Sequence, residues 1–346
     1  MSRDDAARSD AARHGAARHG AALHGRALAT GFSGVIRVDV GDTVVFAQAY
    51  GLADRAHGIP ATVDHRFGVA SVAKGFTALT VASLVEEGRI GLDEPVRAVL
   101  GSDLPLVDDA VTVRHLLSHT SGIGDYLDEN VAGDITDHVL PVPVHLLDDV
   151  EAYLPVLDGR PQVAPPGSGF AYNNSGFVLL ALVAQRLTGT EFTELVRQRV
   201  LEPAGMSRTG YPRTDELPGD VALGYLHPTG LRTNVLHLPV RGSGDGGLVT
   251  TAHDLAAFWR AVLAHRVVGA GTLAALVEPV STVESEGMRY GLGFWLGADS
   301  PDLVLEGYDA GVSARTRHDP VTGVTVTVVA NSSDGAWPVL REPAGA

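Results

Sequence analysis

The only lysine of the chain, Lys74, stands three residues after a serine, Ser71, and the other 25 basic residues are arginine. An arginine keeps its positive charge at any pH that a protein meets, whereas a lysine can be neutralised by burial and then act as a base. A serine hydroxyl beside such an amine can lose its proton and become a nucleophile. The alternative is a lysine left by chance in an arginine-biased chain. The pair predicts nucleophilic chemistry at Ser71.

The segment that carries this pair has the pattern of a buried helix. The run SVAKGFTALTVASLVEEG is apolar nearly all round and stops at Gly88. Residues three apart on a helix share a face, with Cβ atoms about 5 to 6 Å apart, so the hydroxyl and the amine can meet. A helix N-terminus also stabilises an oxyanion beside the serine. Apolar surroundings are expected to lower the pKa of Lys74 by desolvation.

A second pair of polar residues precedes another buried-helix pattern, SGFVLLALVAQRLTG. Tyr172 and Asn174 are two apart, and in an extended lead-in both side chains project to one side. A phenol can pass a proton, and an amide can hold both an amine and a carbonyl. Tyr and Asn at such positions are also common as a packing residue and a helix cap, so this pair alone is a weak signal.

Strand-like runs occur at both ends of the chain, and mostly helical patterns lie between them. SGVIRVDVGDTVVFAQAYG predicts a hairpin around Gly41 and Asp42, and the C-terminal runs include LVLEG, GVSARTRHD and GVTVTVVANS. We therefore predict an α+β fold. Strands from both ends of the chain form one antiparallel sheet flanked by helices, with a mostly helical region inserted.

The expected organisation is a low-complexity, mobile segment over 1–30 and one domain over 31–346. The α/β part of this domain comprises about 31–90 and 250–335, and the helical insert about 91–249. The N-terminal segment repeats AARHG and then AALHG, and it lacks the apolar stretch of about 7 to 15 residues that a signal peptide needs. No stretch reaches the roughly 18 apolar residues of a membrane span. We therefore expect a cytoplasmic protein.

The composition excludes several classes of function. The net charge is −15 and no basic patch is apparent, which argues against nucleic acid or an anionic membrane as partner. The chain contains no cysteine, so it can have neither a thiol nucleophile nor a thiolate metal site. We expect a small-molecule or peptide substrate and no cofactor.

Two other motifs are weak. His115 and His119 are four apart, a spacing that metal sites use, but no HExxH and no obvious third ligand accompany them, so no metal is expected. GSGDGG at 242–247 lacks the Gly-Lys-Ser/Thr that follows in a phosphate-binding loop, and a flexible turn accounts for it. The chain has no GxSxG, which disfavours the α/β-hydrolase nucleophile turn.

Five segments together resemble the serine β-lactamase and penicillin-binding-protein-like family. They are FGVASVAKGFTALTVASLVEEGRIGLDEPV, TVRHLLSHTSGI, PPGSGFAYNNSGFVLLALVAQRLTG, LEPAGMSRT and GDGGLVTTAHDLAAFW, in the family's order and spacing. The nearest branches look like class C β-lactamases, D-alanyl-D-alanine peptidases and family VIII-type esterases. The resemblance runs from about Phe32 to about Ser332 and implies a β-lactamase/transpeptidase-like fold.

The resemblance implies a role for each residue of the two pairs. Ser71 of the Ser-x-x-Lys motif would be the acylated nucleophile, and Lys74 the amine that activates it. Tyr172 of the Tyr-x-Asn motif would act as general base and acid. Asn174 would orient the amine and the substrate. The backbone N–H groups of Ser71 and Tyr308 would form the oxyanion hole.

The chain departs from the family at its third motif, which is usually Lys or His, any residue, then Gly. Leu305, Glu306 and Gly307 occupy these positions, so the glycine is kept and the cation is absent. Leu305 and Gly307 are expected to contact the substrate, and Arg315 on the next strand could restore a carboxylate contact, although an exposed strand charge is the simpler interpretation. The same two interpretations apply to Arg317, which lies on the same predicted strand. The absent cation favours a neutral ester or amide over a β-lactam or a D-Ala-D-Ala end.

The sequence thus predicts a serine acyl-enzyme hydrolase acting on an ester or amide of a small molecule or peptide. An acyltransferase that uses the same acyl-enzyme in small-molecule biosynthesis is one alternative. A catalytically silent binding module on the same fold is the other.

Overall fold

The computed structural model describes residues 3–128 and 133–341, with side chains from residue 10 onward. Its helices are α1 (Arg3–Thr30), α2 (Ala73–Glu86), α3 (Arg97–Leu100), α4 (Val113–Leu117), α5 (Leu154–Leu157), α6 (Asn174–Thr188), α7 (Phe192–Val196), α8 (Glu202–Ala204), α9 (Ala252–Leu263), α10 (Ala270–Leu276) and α11 (Ala336–Leu340). Short 3-10 turns lie between them, and a π-helical stretch, Arg197–Leu201, joins α7 to α8.

The strands confirm the prediction of one antiparallel sheet built from both ends of the chain. They are β1 (Gly34–Val40), β2 (Thr43–Tyr50), β3 (Leu52–Asp54), β4 (Ile59–Pro60), β5 (Phe67–Gly68), β6 (Val249–Thr250), β7 (Ser281–Val283), β8 (Met288–Tyr290), β9 (Trp295–Gly297), β10 (Leu303–Asp309), β11 (Val312–Asp319) and β12 (Val324–Ala330). Eight of them form the main sheet in the order β2-β1-β12-β11-β10-β9-β8-β7. The predicted hairpin turns at Gly41, whose φ of 58° suits a residue without a Cβ.

Helices cover both faces of this sheet, and the alternation of strand side chains separates two cores. Val35 faces the larger core, which also contains the buried side chains of α2, α6 and α9. Ile36, the next residue along β1, faces the smaller core beneath α1 and α11. The larger core is continuous between the sheet and the segment 91–249. Because one core joins both parts, the division into an α/β part (31–90 and 250–335) and a helical insert (91–249) stays a prediction.

The N-terminal segment differs from the mobile tail that its composition suggests. It forms α1, and its side chains at Ala16, Leu23 and Ala27 are buried against the outer face of the sheet. Gly20 lies on the same face, where an added Cβ would be 2.7 Å from the Cβ of Phe46. Small residues at helical spacing permit this close approach. The interaction of α1 with the sheet is thus tight although the segment is only weakly hydrophobic.

The two helices predicted to be buried are confirmed. In α2 every residue from Ala73 to Leu84 is buried, in keeping with a pattern that is apolar all round. Asn173 caps α6 by accepting a hydrogen bond from the N–H of Gly176, and Gly189 ends the helix in the left-handed conformation. In the described residues no helix is both long and apolar enough to cross a membrane. A cytoplasmic location stays a prediction.

Candidate active site

Ser71 lies in a 3-10 turn, Ala70–Val72, directly before α2. The preceding residue, Ala70, has a φ of 46°, in a region that residues with a Cβ seldom adopt. Such strain persists only where the surrounding structure fixes it, and it is common at functional sites. Ser71 lines a cleft, and Lys74 lies in the first turn of the helix.

Lys74 is buried, with 2% of its surface exposed, and its amine contacts oxygen atoms from three different elements. Its Nζ lies 2.8 Å from the Oγ of Ser71 and 2.8 Å from the Oδ1 of Asn174. It also lies 3.1 Å from the backbone oxygen of Asp245. These contacts fix the amine within hydrogen-bond distance of the hydroxyl, which is the geometry that proton transfer requires.

Asn174 is the first residue of α6, and neighbouring groups hold both ends of its amide. The Oδ1 faces Lys74, and the Nδ2 donates to the backbone oxygen of Leu127 at 2.9 Å. The carboxylate of Asp125 accepts the backbone N–H groups of Asn174 and Ser175, each at 2.8 Å. Burial raises the pKa of Asp125, and these hydrogen bonds oppose the rise. The sequence interpretation did not identify Asp125 as a support of this helix end.

Tyr172 lies beside the amine, with its ring centroid 4.9 Å from the Nζ of Lys74. The ring stacks on Trp295 with centroids 6.3 Å apart and planes at 10°, and its other neighbours include His119 at 4.4 Å. Tyr172 also lines the cleft next to Ser71. The structure thus brings Ser71, Lys74, Tyr172 and Asn174 into one cluster.

His119, the second histidine of the pair spaced four residues apart, forms part of the support of Tyr172. The ring is fully buried, and its Nδ1 accepts a hydrogen bond from the backbone N–H of Asn173 at 3.0 Å. The single proton of a neutral ring is therefore assigned to Nε2. Burial, reinforced by the charge of Lys74, holds the pKa of His119 well below its usual range. The ring is an uncharged packing partner at neutral pH.

The glycine-rich segment 242–247 is a further element of the site that the sequence interpretation missed. Besides the Asp245 carbonyl, which contacts Lys74, the Gly244 carbonyl accepts a hydrogen bond from the Thr77 hydroxyl at 2.6 Å. An added Cβ at Gly244 would lie 2.0 Å from the backbone oxygen of Phe177. The glycines let this backbone pass between α2 and α6. The density of glycine was the signal, and it indicated close backbone approach rather than a phosphate site.

Strand β10 closes the other side of the serine. A Cβ added at Gly307 would lie 2.5 Å from the backbone nitrogen of Ser71, so only glycine allows the strand to approach the turn this closely. Tyr308, the next residue, lines the cleft together with Ser71. This places the two backbone segments predicted to form an oxyanion hole side by side.

Residues 13–344 of the chain match the protein-family model described as Beta-lactamase. The chain belongs to the Beta-lactamase family. Its structure superimposes on that of a penicillin-binding protein from Bacillus halodurans with a TM-score of 0.86 and 36% identity, covering 92% of this chain and 98% of that one. The resemblance noted in the sequence and the β-lactamase/transpeptidase-like fold that it implies are confirmed.

The curated relatives of this chain include one named as a penicillin-binding protein and one named as an esterase. Penicillin-binding protein 4* of Bacillus subtilis (strain 168) is 28% identical over 284 residues, which cover 78% of this chain and 61% of the relative. Esterase EstB of Burkholderia gladioli is 38% identical over 174 residues, covering 49% of this chain and 44% of that protein. The chain therefore spans less than two thirds of the length of either relative.

This member of the Beta-lactamase family has a broad cleft at Ser71, and the volume of the cleft is about 680 Å³. It is lined by Ser71, the aromatic side chains of Phe170, Tyr172, Trp295, Tyr308 and Trp337, the rim segment 282–286, and Ala171, Glu306 and Gly307. A second, small cavity of about 50 Å³ touches Ser71, Asn174 and Tyr308 and is bounded by Tyr126, Tyr153 and the glycine-rich segment. Ser71 therefore stands between two spaces of unequal size.

Two residues predicted to contact the substrate do not line either of these cavities. Leu305 is 2% exposed and packs against α2, where a Cβ added to Gly75 would be 2.6 Å from its Cδ1. Arg315 faces Glu306 across the β10–β11 ladder, and its Nε lies 3.4 Å from the Glu306 carboxylate. Arg317 likewise pairs with an acid, Asp302, at 3.0 Å. No arginine of these strands therefore supplies the missing cation to the cleft.

The histidine pair does not form a metal site in the structure. His115 completes a capping box at the start of α4 with Thr112. In the two ranges 3–128 and 133–341, no group of three or more His, Asp or Glu side chains is placed to hold a metal ion.

Proposed function

We propose that the chain is a serine acyl-enzyme hydrolase that cleaves an ester or amide of a small molecule or peptide. The observation that carries the proposal is the 2.8 Å contact between the one lysine and the Ser71 hydroxyl in a buried site. The relatives named as an esterase and as a penicillin-binding protein support the reaction class. Because the aligned region covers only part of these proteins, their substrates are not assumed for this chain.

In the proposed reaction, the Oγ of Ser71 attacks the carbonyl carbon while its proton passes to the cluster of Lys74 and Tyr172. The carbonyl oxygen gains negative charge, which the N–H groups of Ser71 and Tyr308 would stabilise. The bond to the leaving group breaks as Tyr172 returns the proton to it. Water then attacks the acyl carbon, and the same groups take its proton and restore the Ser71 hydroxyl.

Acyl transfer to an amine or alcohol is a second candidate, favoured by the two cavities that flank Ser71. The cleft of about 680 Å³ offers far more space than a water molecule needs, so an organic acceptor has room beside the acyl-enzyme. Product analysis with a competing amine distinguishes the two reactions, because hydrolysis yields only the acid and transfer yields the new amide.

The decisive experiment is intact mass spectrometry after treatment with a fluorophosphonate and, separately, with a penicillin. We expect one fluorophosphonate adduct in the wild type, none in Ser71→Ala, and one in Ser207→Ala, which removes an exposed hydroxyl elsewhere. We expect little reaction with the penicillin, because no Lys, Arg or His is among the described residues that line the cleft to bind its carboxylate. A folded wild-type protein without a Ser71-dependent adduct would instead support the binding module.

A further inference from the structure

Among the described residues that line the cleft, every charged side chain is acidic. Glu306 lies on β10 beside Gly307, and Glu284 and Glu286 stand on the turn between β7 and β8. Among the described residues that line this cavity, none is Lys, Arg or His. A carboxylate-bearing substrate would therefore meet repulsion here, and a cationic one would meet attraction.

Glu306 is the deepest of these carboxylates, and its side chain is 18% exposed. Its nearest cation, Arg315, lies 3.4 Å away, beyond good hydrogen-bond distance, and the Arg315 Nε is buried without a hydrogen-bond partner in the described structure. Burial raises the pKa of Glu306, the Arg315 charge opposes this, and the Glu286 charge adds to the rise. Glu286 and Glu306 line the same cavity, so a cation bound there would offset the repulsion between the two carboxylates.

Aromatic rings complete the surroundings of these acids. Trp295 stacks on Tyr172, and Phe170 packs on Trp295 with centroids 5.8 Å apart. Tyr308 and Trp337 line the same cavity as Glu306. Aromatic faces attract ammonium groups through the negative charge of their π-systems, and the attraction grows where water is excluded. Carboxylates and rings together suit an ammonium ion better than any other common substrate group.

We propose that the cleft binds a positively charged amine of the substrate between Glu306 and Glu286. The inference rests on the proposed hydrolase function and names its substrate class, namely esters or amides with an ammonium group near the scissile carbonyl. Amino-acid esters, amino-acid amides and peptides with a free amino terminus meet this description. Glu306 and Glu286 are then specificity-determining residues, because they select the substrate and leave the acyl-transfer chemistry to Ser71.

The test uses alanine 4-nitroanilide, of each configuration, with its N-acetyl and N-succinyl derivatives. At pH 6.5 the free amine is protonated, since an α-amino group has a pKa of about 8. We expect kcat/KM for the free amine to exceed that for the neutral acetyl derivative by about tenfold or more. A single hydrogen bond to a charged group contributes a preference of this size. The succinyl derivative, which carries a carboxylate, should be the poorest substrate.

Two variants and one control assign this preference to the cleft. Glu306→Gln and Glu286→Gln should each reduce the ratio of free-amine to acetyl turnover, and Glu306→Gln should also improve the succinyl substrate by releasing Arg315. Glu286 stands on the exposed rim, so its variant remains informative if Glu306→Gln does not fold. Glu216→Gln removes the same charge from an exposed loop outside the cleft and should leave the ratio unchanged.

The outcomes separate the inference from the proposed function. Ser71-dependent hydrolysis of neutral 4-nitrophenyl acetate without an amine preference would overturn the inference and leave the hydrolase intact. Variants that keep a wild-type preference would overturn it as well. If nothing is turned over, calorimetry on Ser71→Ala decides the question. Tighter binding of alanine 4-nitroanilide than of its acetyl derivative supports the ammonium site, and equal binding refutes it.

Discussion

Replacing Gly307 with alanine tests whether the close approach of β10 to the nucleophile is essential for catalysis. The added Cβ would lie 2.3 Å from the backbone oxygen of Val69, 2.5 Å from the nitrogen of Ser71 and 3.0 Å from the carbonyl carbon of Ala70. All three are backbone atoms, so no change of rotamer relieves the overlap. Restoring an ordinary contact of about 3.5 Å requires the turn and the strand to separate by about 1 Å.

This displacement has two calculable effects. Moving a catalytic group by about 1 Å can cost on the order of 10² in rate, and losing one oxyanion-hole donor costs about 10²–10³. We therefore expect kcat/KM and the rate of fluorophosphonate acylation to fall by about 10²–10³ in Gly307→Ala. Overpacking of this kind costs about 1–3 kcal/mol of stability, so the variant should still fold.

The assay compares the rate of adduct formation at Ser71 with the free energy of unfolding from urea titration. Gly271→Ala is the matched control, because Gly271 lies in α10 and an added Cβ there meets nothing within 4 Å. It should keep wild-type rates and gain about 0.4–1 kcal/mol of stability through a less flexible unfolded chain. A folded Gly307→Ala protein with wild-type acylation would refute the placement of the oxyanion hole between Ser71 and Tyr308.

Two further predictions concern the amine and the buried imidazole. Lys74→Arg should fold yet lose about 10²–10⁴-fold in acylation rate, because a permanently charged guanidinium cannot take the serine proton; wild-type acylation in this variant would exclude a proton-transfer role. His119 is neutral in the folded protein because burial and Lys74 lower its pKa. The unfolded chain gains a proton here below its ordinary pKa of about 6.5, so the stability contributed by the neutral ring is lost as pH falls. Wild-type unfolding free energy should therefore drop more steeply below that pH than that of His119→Phe, by up to about 1.4 kcal/mol per pH unit. Parallel urea-derived stability curves would show that His119 does not titrate differently in the two states.

The parts of the structure that could be predicted from the sequence are those with a strong periodic signal. The hairpin at Gly41, the C-terminal strands and the two apolar helices each carry such a pattern. The spacing of Ser71 and Lys74 likewise predicts their proximity, because residues three apart share a face both in the 3-10 turn that carries Ser71 and in the first turn of α2. Local geometry alone was sufficient at these positions.

Other features depend on contacts that sequence patterns do not reveal. The inner face of α1 carries one large apolar side chain, Leu23, and three small residues, Ala16, Gly20 and Ala27. Small residues give little hydropathy signal although they permit tight packing. The contact between Lys74 and the backbone oxygen of Asp245 joins segments 171 residues apart. A backbone carbonyl is present in every residue, so its use at a site leaves no trace in the residue types.

At the third motif, the charge that faces the cleft depends on the direction of each side chain as well as on the residue types. Successive residues of β10 point to opposite faces of the sheet, so Leu305 projects toward α2 and fills the space above Gly75. Glu306 points away from this packing and is among the residues that line the cleft. The residue aligned with the family's cation is therefore a core residue in this chain. In the proposed site, the charge that a substrate meets comes from its neighbour, Glu306. Ser71 and Lys74 lie at the start of α2, which packs against Leu305. A change at Glu306 would therefore alter the proposed charge preference without removing the groups proposed to carry out acyl transfer.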